Sequence, residues 1–287
     1  MKKKWTRRGL LLALLILGGG LFFRWSQESI VTPTYIVTSP DLPEAFDGFR
    51  IVHISDLHGK EFGENNRRLI EAVVELEPDL IAITGDLIDQ QQQATAVLPE
   101  LMTGLLTETE AKVPICYVTG NHEWAVRNVS NLKDFLEFWG VRALSNEYAV
   151  LERQGEKLVI AGVDDPNGPA DQKTPEELRA EITEEMGETY TVFLSHRDTV
   201  EAYAELGFDL TLCGHGHGGI VRIPILDQGV LSTSRDFFPE YDGGLYTFEN
   251  GAACVVSRGL GSNTVPIRAF RLFNRPDLPL IILSKGA

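Results

Sequence analysis

The sequence predicts an α/β protein built on two packed β-sheets, set behind a hydrophobic N-terminal segment. Three observations predict it. Six short, largely apolar β-rich runs lie between residues 50 and 213, without the polar–apolar alternation of a half-exposed strand. Segments with helical apolar spacing separate several of these runs. After Gly218 the pattern changes to short strands joined by turns.

The first element is the hydrophobic start. Residues 1–8 form a basic region holding Lys2, Lys3, Lys4, Arg7 and Arg8, and residues 9–23 are 15 uncharged residues in a row. That run is longer than most signal-peptide cores and shorter than the ~20 residues of a full span. Trp5 and Trp25 flank it, as interfacial aromatics do. The pattern predicts a signal anchor over 9–25, with the basic end cytoplasmic and the rest of the chain outside. A cleaved signal would want an A-x-A-like site, which Phe22-Phe23-Arg24-Trp25 does not supply. A buried helix of the domain would rarely begin with five bases in eight residues. Thr6-Arg7-Arg8-Gly9-Leu10-Leu11 also resembles a twin-arginine export signal. Residues 26–45, with Pro33, Pro40 and Pro43, read as a linker containing one strand at Thr34–Val37.

Residues 46–287 read as one domain. The six runs are Arg50–Ser55, Leu80–Thr84, Ile115–Thr119, Leu158–Val163, Thr191–Ser195 and Leu210–Cys213. Leu69, Ile70, Val73, Val74 and Leu76 make an apolar stripe that predicts a helix over Asn66–Leu76. Leu132, Phe135, Leu136 and Trp139 do the same for Asn131–Trp139, which Gly140 ends. Thr174 and Pro175 open a further helix as N-cap and first-turn residue. Strands are then expected at Gly219–Ile225, Val230–Ser232, Gly244–Glu249, Ala252–Ser257, Ile267–Leu272 and Leu280–Leu283, and this last third reads as antiparallel. Glu249-Asn250-Gly251 is a hairpin signal.

Charge sharpens the division. The chain has a net charge of −15, but residues 1–24 hold six bases and no acid, so the rest carries 20 bases against 41 acids, a net −21. An acidic domain argues against nucleic-acid binding, which needs cationic surface. Three cysteines give no disulfide framework, although a bridge between two of them stays open in an exported protein.

The strand ends carry the chemistry. The first run leads into Asp56-Leu57-His58, the second into Gly85-Asp86 and the third into Gly120-Asn121-His122-Glu123. The fifth leads into His196 and the sixth into Gly214-His215-Gly216-His217. Sites in α/β folds form outside the carboxyl ends of strands, so these groups should converge. The donors are oxygen and nitrogen without thiolate, which suits Mn, Fe, Co or Zn and disfavours a structural zinc site. Asp56, His58, Asp86, Asn121, His196, His215 and His217 are too many for one open ion and about right for two ions sharing a carboxylate.

These ordered blocks resemble the D-x-H, G-D, G-N-H-[DE], H and G-H-x-H pattern of the calcineurin-like metallophosphoesterase superfamily. The membrane-proximal start, His217-Gly218-Gly219, Ser257–Gly261 and Asn274–Pro279 look like its bacterial membrane-associated phosphodiesterase branch. The resemblance implies a four-layer α/β/β/α sandwich with two mixed β-sheets. It implies that Asp56, His58, Asp86 and His217 hold one metal, and that Asp86, Asn121, His196 and His215 hold the other. The two would be divalent or trivalent ions, with Mn first and Fe, Zn or Co as alternatives. A hydroxide shared by the ions would attack phosphorus. His122 would protonate the leaving oxygen, oriented by Glu123. Asp89 stands where purple acid phosphatases carry a Tyr ligand, which sets that branch aside, and Ile220 stands where membrane-associated relatives often have Gln.

Other residues have plainer readings. His53 lies inside the first strand and reads as a core histidine. Asp164 and Asp165 read as turn residues before Pro166-Asn167-Gly168, and Cys213 as a buried small hydrophobe. Asn66, Arg67 and Arg197 are candidate phosphate contacts, with solvated helix-face positions as the plainer reading. The function expected is a metal-dependent phosphoesterase, first a phosphodiesterase, held at the membrane through residues 9–25. Its substrate would be a lipid-linked or cell-wall phosphoester. A hydrolase of UDP-2,3-diacylglucosamine-type pyrophosphates is the alternative on the same site, and a non-catalytic metal-stabilised wall-binding module the alternative of another class.

Overall fold

The computed structural model describes residues 2–89, 98–109, 113–126, 129–262 and 271–286. Helix α1 (Lys2–Glu28) comes first and runs beyond the expected 9–25 at both ends. Its Arg8–Glu28 portion is long and apolar enough to cross a membrane, and only 6% of its apolar window is buried.

The first sheet is built from β1 (Thr34–Ser39), β2 (Arg50–Ile54), β3 (Leu80–Ile83), β4 (Ile115–Tyr117), β5 (Arg142–Ala143) and β14 (Leu280–Lys285). Their order is β1-β14-β2-β3-β4-β5. The run from β2 to β5 is parallel, β14 is antiparallel to β2, and β1 is parallel to β14. The strand expected at Thr34–Val37 within the linker is β1, which runs on to Ser39, with Thr34 paired to Leu280 and Ser39 to Lys285.

The second sheet uses β6 (Glu147–Arg153), β7 (Glu156–Gly162), β8 (Thr191–Leu194), β9 (Leu210–Cys213), β12 (Gly244–Thr247) and β13 (Ala253–Val256), ordered β12-β13-β9-β8-β7-β6. The expectation of an antiparallel last third holds for β12–β13 and fails for β13, which lies parallel to β9. A small hairpin of β10 (Arg222–Ile223) and β11 (Gln228–Gly229) stands where longer strands were expected at 219–225 and 230–232. Glycines and prolines punctuate that stretch and leave little room for a ladder. Most of the strand expected at 267–272 lies outside the described residues.

Burial explains the apolar runs. Along β2 and β3, Ile51, Leu80 and Ala82 face the second sheet's Leu158, Ile160, Val192, Leu194, Leu210 and Leu212. The alternate residues Val52, Ile54, Ile81 and Ile83 face the helices α2 (Arg67–Glu75), α3 (Leu98–Glu108) and α5 (Val129–Phe138). On the far side, Val159, Ala161 and Phe193 meet Leu178 and Ile182 of α6 (Pro175–Met186) and Tyr203 of α7 (Val200–Glu205). The layers are thus α/β/β/α, and strands buried on both faces need no alternation. Thr174 caps α6 as expected, its hydroxyl accepting the Glu177 N–H while Glu177 accepts the Thr174 N–H.

Cys116, Cys213 and Cys254 are all buried and unbridged, with the sulfurs of Cys213 and Cys254 3.7 Å apart on neighbouring strands.

Candidate metal centre

Five parallel strands, β2, β3, β4, β8 and β9, end at one place, and each carries polar residues there. Asp56 and His58 follow β2, and Asp86 follows β3. Asn121 and His122 begin the short helix α4 (Asn121–Ala125) after β4. His196 follows β8, and His215 and His217 follow β9. The backbone turns sharply after the strands: Asp56, His58, Asp86, His215 and His217 all have φ between 50° and 69°. Such conformations cost about 1–3 kcal/mol each and persist where surrounding contacts enforce them. Here the first two loops are zipped together, with His58 N–H on Asp86 O at 2.8 Å and Gly59 N–H on Leu87 O at 2.8 Å. Glycine is required at the closest approaches. A Cβ on Gly214 would stand 2.0 Å from Ser55 Oγ, and one on Gly120 would stand 2.2 Å from Asp86 Oδ1.

The side chains converge in two groups. Asp56 Oδ1 lies 3.4 Å from His217 Nε2 and 3.9 Å from His58 Nε2, and the two imidazole nitrogens are 3.0 Å apart. Asp86 Oδ2 lies 3.7 Å from His58 Nε2 and 3.3 Å from His196 Nε2. His196 Nε2 is in turn 3.1 Å from Asn121 Oδ1 and 3.1 Å from His215 Nδ1. Asp86 therefore stands between the groups.

The donor set fits cations. Asp56 Oδ1 is buried without a hydrogen-bond partner and faces two imidazole nitrogens. Burial holds His58 and His217 down to about 3 and His215 to about 2, so all three offer neutral lone pairs at physiological pH. His196 Nδ1 meets the Thr84 carbonyl at 2.8 Å, which fixes the tautomer and aims Nε2 into the centre. Burial would raise Asp86, but His196, His58 and His122 beside it hold its carboxyl well below the usual range.

His122 sits at the edge of this cluster, 5% exposed. Its Nε2 is 3.9 Å from Asp86 Oδ2, and its Nδ1 is 3.7 Å from Asp89 Oδ1. Glu123 does not have the position expected of it. Its Oε2 accepts the N–H groups of Asp86 and Gly120 and its Oε1 that of Ile88, so it ties two ligand loops together from behind. Burial and the Asp86 charge push its carboxyl up to about 7 against those donors. The carboxylate at the Nδ1 side of the His122 ring is Asp89.

Residues 49–219 match the family described as calcineurin-like phosphoesterase. The chain belongs to that family. As a calcineurin-like phosphoesterase it is a metal-dependent hydrolase of phosphoric esters. It is 29% identical to the uncharacterized metallophosphoesterase YkuE of Bacillus subtilis, over 94% of this chain and 92% of the relative. It is 27% identical to a zebrafish transmembrane protein with a metallophosphoesterase domain, over 85% of this chain and 55% of the relative. It is 26% identical to the phosphodiesterase YaeI of Escherichia coli, over 82% of each chain.

Within the calcineurin-like frame, the remaining candidates separate. His53 is a core histidine: its Nε2 meets Thr84 Oγ1 at 2.7 Å, Thr84 donates to Ser55, and Ser55 donates to Asp56 Oδ2 at 2.6 Å. It anchors the relay behind Asp56. Arg67 pairs with Glu71 and Glu108 on the surface, and Asn66 is buried with its amide oxygen on the Phe62 N–H. Arg197 alone of the three phosphate candidates borders the centre. Asp165 grips it at 2.6 and 3.2 Å, and its Nη1 donates to His215 Nε2 at 2.9 Å. Asp165 also accepts the Asn167 N–H, so it is a turn residue and an arginine holder at once. The Asp89–His122 and Asp165–Arg197 pairs join residues 33 and 32 positions apart, a separation that leaves no local pattern to read.

Proposed function

We propose that this calcineurin-like phosphoesterase is a dinuclear phosphodiesterase held at the membrane by α1, with the catalytic domain on the extracytoplasmic side. The observation that carries the reading is the place of Asp86, whose one carboxylate oxygen faces His58 of the first group and His196 of the second. Asp56, His58, Asp86 and His217 would hold one divalent cation, and Asp86, Asn121, His196 and His215 the other, Mn²⁺ being the first choice. Two such cations supply Lewis acidity and a water ionised at neutral pH.

The chain's own groups do the rest. Arg197, clamped by Asp165, presents fixed positive charge beside the second group and binds a non-bridging phosphoryl oxygen. His122, with Asp89 at its Nδ1, delivers a proton from Nε2 to the leaving oxygen. The name of YaeI supports a diester as substrate. The apolar α1, the five bases within residues 2–8 and the transmembrane relative support the tether and its orientation.

Metal titration tests the reading. Chelated full-length enzyme should regain hydrolysis of bis(p-nitrophenyl) phosphate with Mn²⁺, saturating at two ions per chain. Saturation at one ion, or no turnover with Mn²⁺, Co²⁺, Zn²⁺ or Fe²⁺, would refute it.

A further inference from the structure

We propose that the flap formed by residues 220–242, directly after the last histidine motif, enters the lipid interface beside α1 through Ile225–Leu226 and Phe237–Phe238. The inference rests on the membrane tether and adds a second contact to it.

The end of α1 is fastened to the domain. Ser26 and Gln27 bond the Arg271 carbonyl, Lys60 bonds the Gln27 carbonyl, and Arg68 Nη2 reaches Glu28 O at 2.7 Å. The Arg275 guanidinium lies 4.6 Å over the Trp25 ring. A membrane boundary near Trp25 is then fixed against the domain rather than separated from it by a free tether.

Apolar surface continues from the helix onto the domain. The Phe22 ring is 5.2 Å from that of Phe273, which is 45% exposed. Its neighbour Leu272 bridges Val221 at the root of the flap and accepts the Arg222 N–H at 3.1 Å. Asn274 Nδ2 donates to His217 O at 2.7 Å and to Ile220 O at 3.1 Å. Anchor, flap and metal-ligand loop thus share one supporting segment.

The flap presents what an interface accepts. Ile225 is 95% exposed, Leu226 70%, Phe237 73% and Phe238 57%. Two adjacent pairs of large apolar side chains are more than scattered surface hydrophobes. Phe238 keeps φ at 53° while its N–H bonds Val230 O at 3.1 Å, so the turn holds the ring outward. Asp227, 79% exposed, pairs with Arg222 at 3.0 Å. Lipid is the occupant because the flap's root pairs with Leu272, and the next residue, Phe273, meets Phe22 on the uncovered α1, which needs the same solvent.

The test uses the full chain in phosphatidylcholine–phosphatidylglycerol vesicles. Leu226→Cys, Phe238→Cys and, as control, Glu249→Cys at the exposed tip of the β12–β13 turn are labelled with an environment-sensitive fluorophore; the native cysteines are buried. Lipids brominated in their acyl chains should quench the first two probes and spare the third. A chain that floats with vesicles while both flap probes stay unquenched overturns the flap contact and leaves the tether standing. A chain that does not float overturns both. Quenching at 249 as well means adsorption of the whole domain and also overturns the proposal. In parallel, Ile225→Asp with Leu226→Asp should lower turnover of a vesicle-embedded phosphodiester about tenfold and leave that of soluble bis(p-nitrophenyl) phosphate unchanged, which also reports an intact fold. Equal effects on the two substrates would count against it.

Discussion

Glu123 Oε2 accepts the backbone N–H of Asp86 at 2.9 Å. The glutamate of the third strand-end motif therefore shapes the loop that carries the central carboxylate. Its removal acts on stability. Glu123→Ala strips the acceptor from three N–H groups, each worth about 1–3 kcal/mol when buried unpaired, and should lower the melting temperature by on the order of 10 °C. Glu123→Gln keeps an acceptor and should hold turnover within a few-fold of wild type. A loss with Gln as deep as that from removing His122 would return Glu123 to the role of orienting that ring.

The His122–Asp89 pair makes the complementary prediction. His122→Ala should keep two bound Mn²⁺ by elemental analysis and lose about 10²–10⁴ in kcat. Asp89→Asn should lose about tenfold in kcat with KM unchanged, as expected when a ring loses the group that orients it. Full activity in Asp89→Asn would sink the pairing.

Asp86→Asn should bind at most one Mn²⁺ per chain and turn over no diester, since one carboxylate serves both groups. Calorimetric titration of the chelated protein reads the stoichiometry directly. Two ions bound with ordinary affinity in the variant would contradict the shared position.

Asp209 gives a pH prediction away from the centre. Burial pushes its carboxyl up from 3.8 to about 6, while the Thr191 N–H bonds it at 2.8 Å. The folded state thus holds this proton more tightly than the unfolded chain. The favourable contribution is complete below about pH 4 and is lost as pH rises through 6. Asp209→Asn should therefore raise the melting temperature at pH 7.5, with the gain shrinking toward zero at pH 4. A gain independent of pH would assign the effect to something other than ionisation.

The strands that deliver the metal-ligand candidates were the most readable part of the chain. Runs such as Leu80–Ile83 are apolar on both faces and stop at Gly85-Asp86, so burial and chemistry are written side by side. Strand β6 gives little signal because its side chains are mostly exposed or half-exposed, and α3 because Pro99 and Gly104 are poor helix formers, although Leu98, Leu101, Met102 and Leu105 keep helical spacing. The edge of the first sheet was illegible for another reason. Thr34 pairs with Leu280, and nothing local announces a partner at that distance. Asp89 was read only for what it is not, because its meaning depends on a ring brought to it by a different strand.

That same edge governs when the protein can exist. Strand β14 lies between β1 and β2, so the first sheet stays split until Leu280–Lys285 have left the ribosome. A nascent chain that ends between β2 and β14 carries two strands waiting for one partner, with their backbone groups open to wrong pairings. Emergence of Leu280–Lys285 closes the sheet, and a product cut short before Leu280 leaves β1 and β2 with no shared neighbour. Strand β14 thus acts as a check on length, since a chain cut before Leu280 cannot close the first sheet.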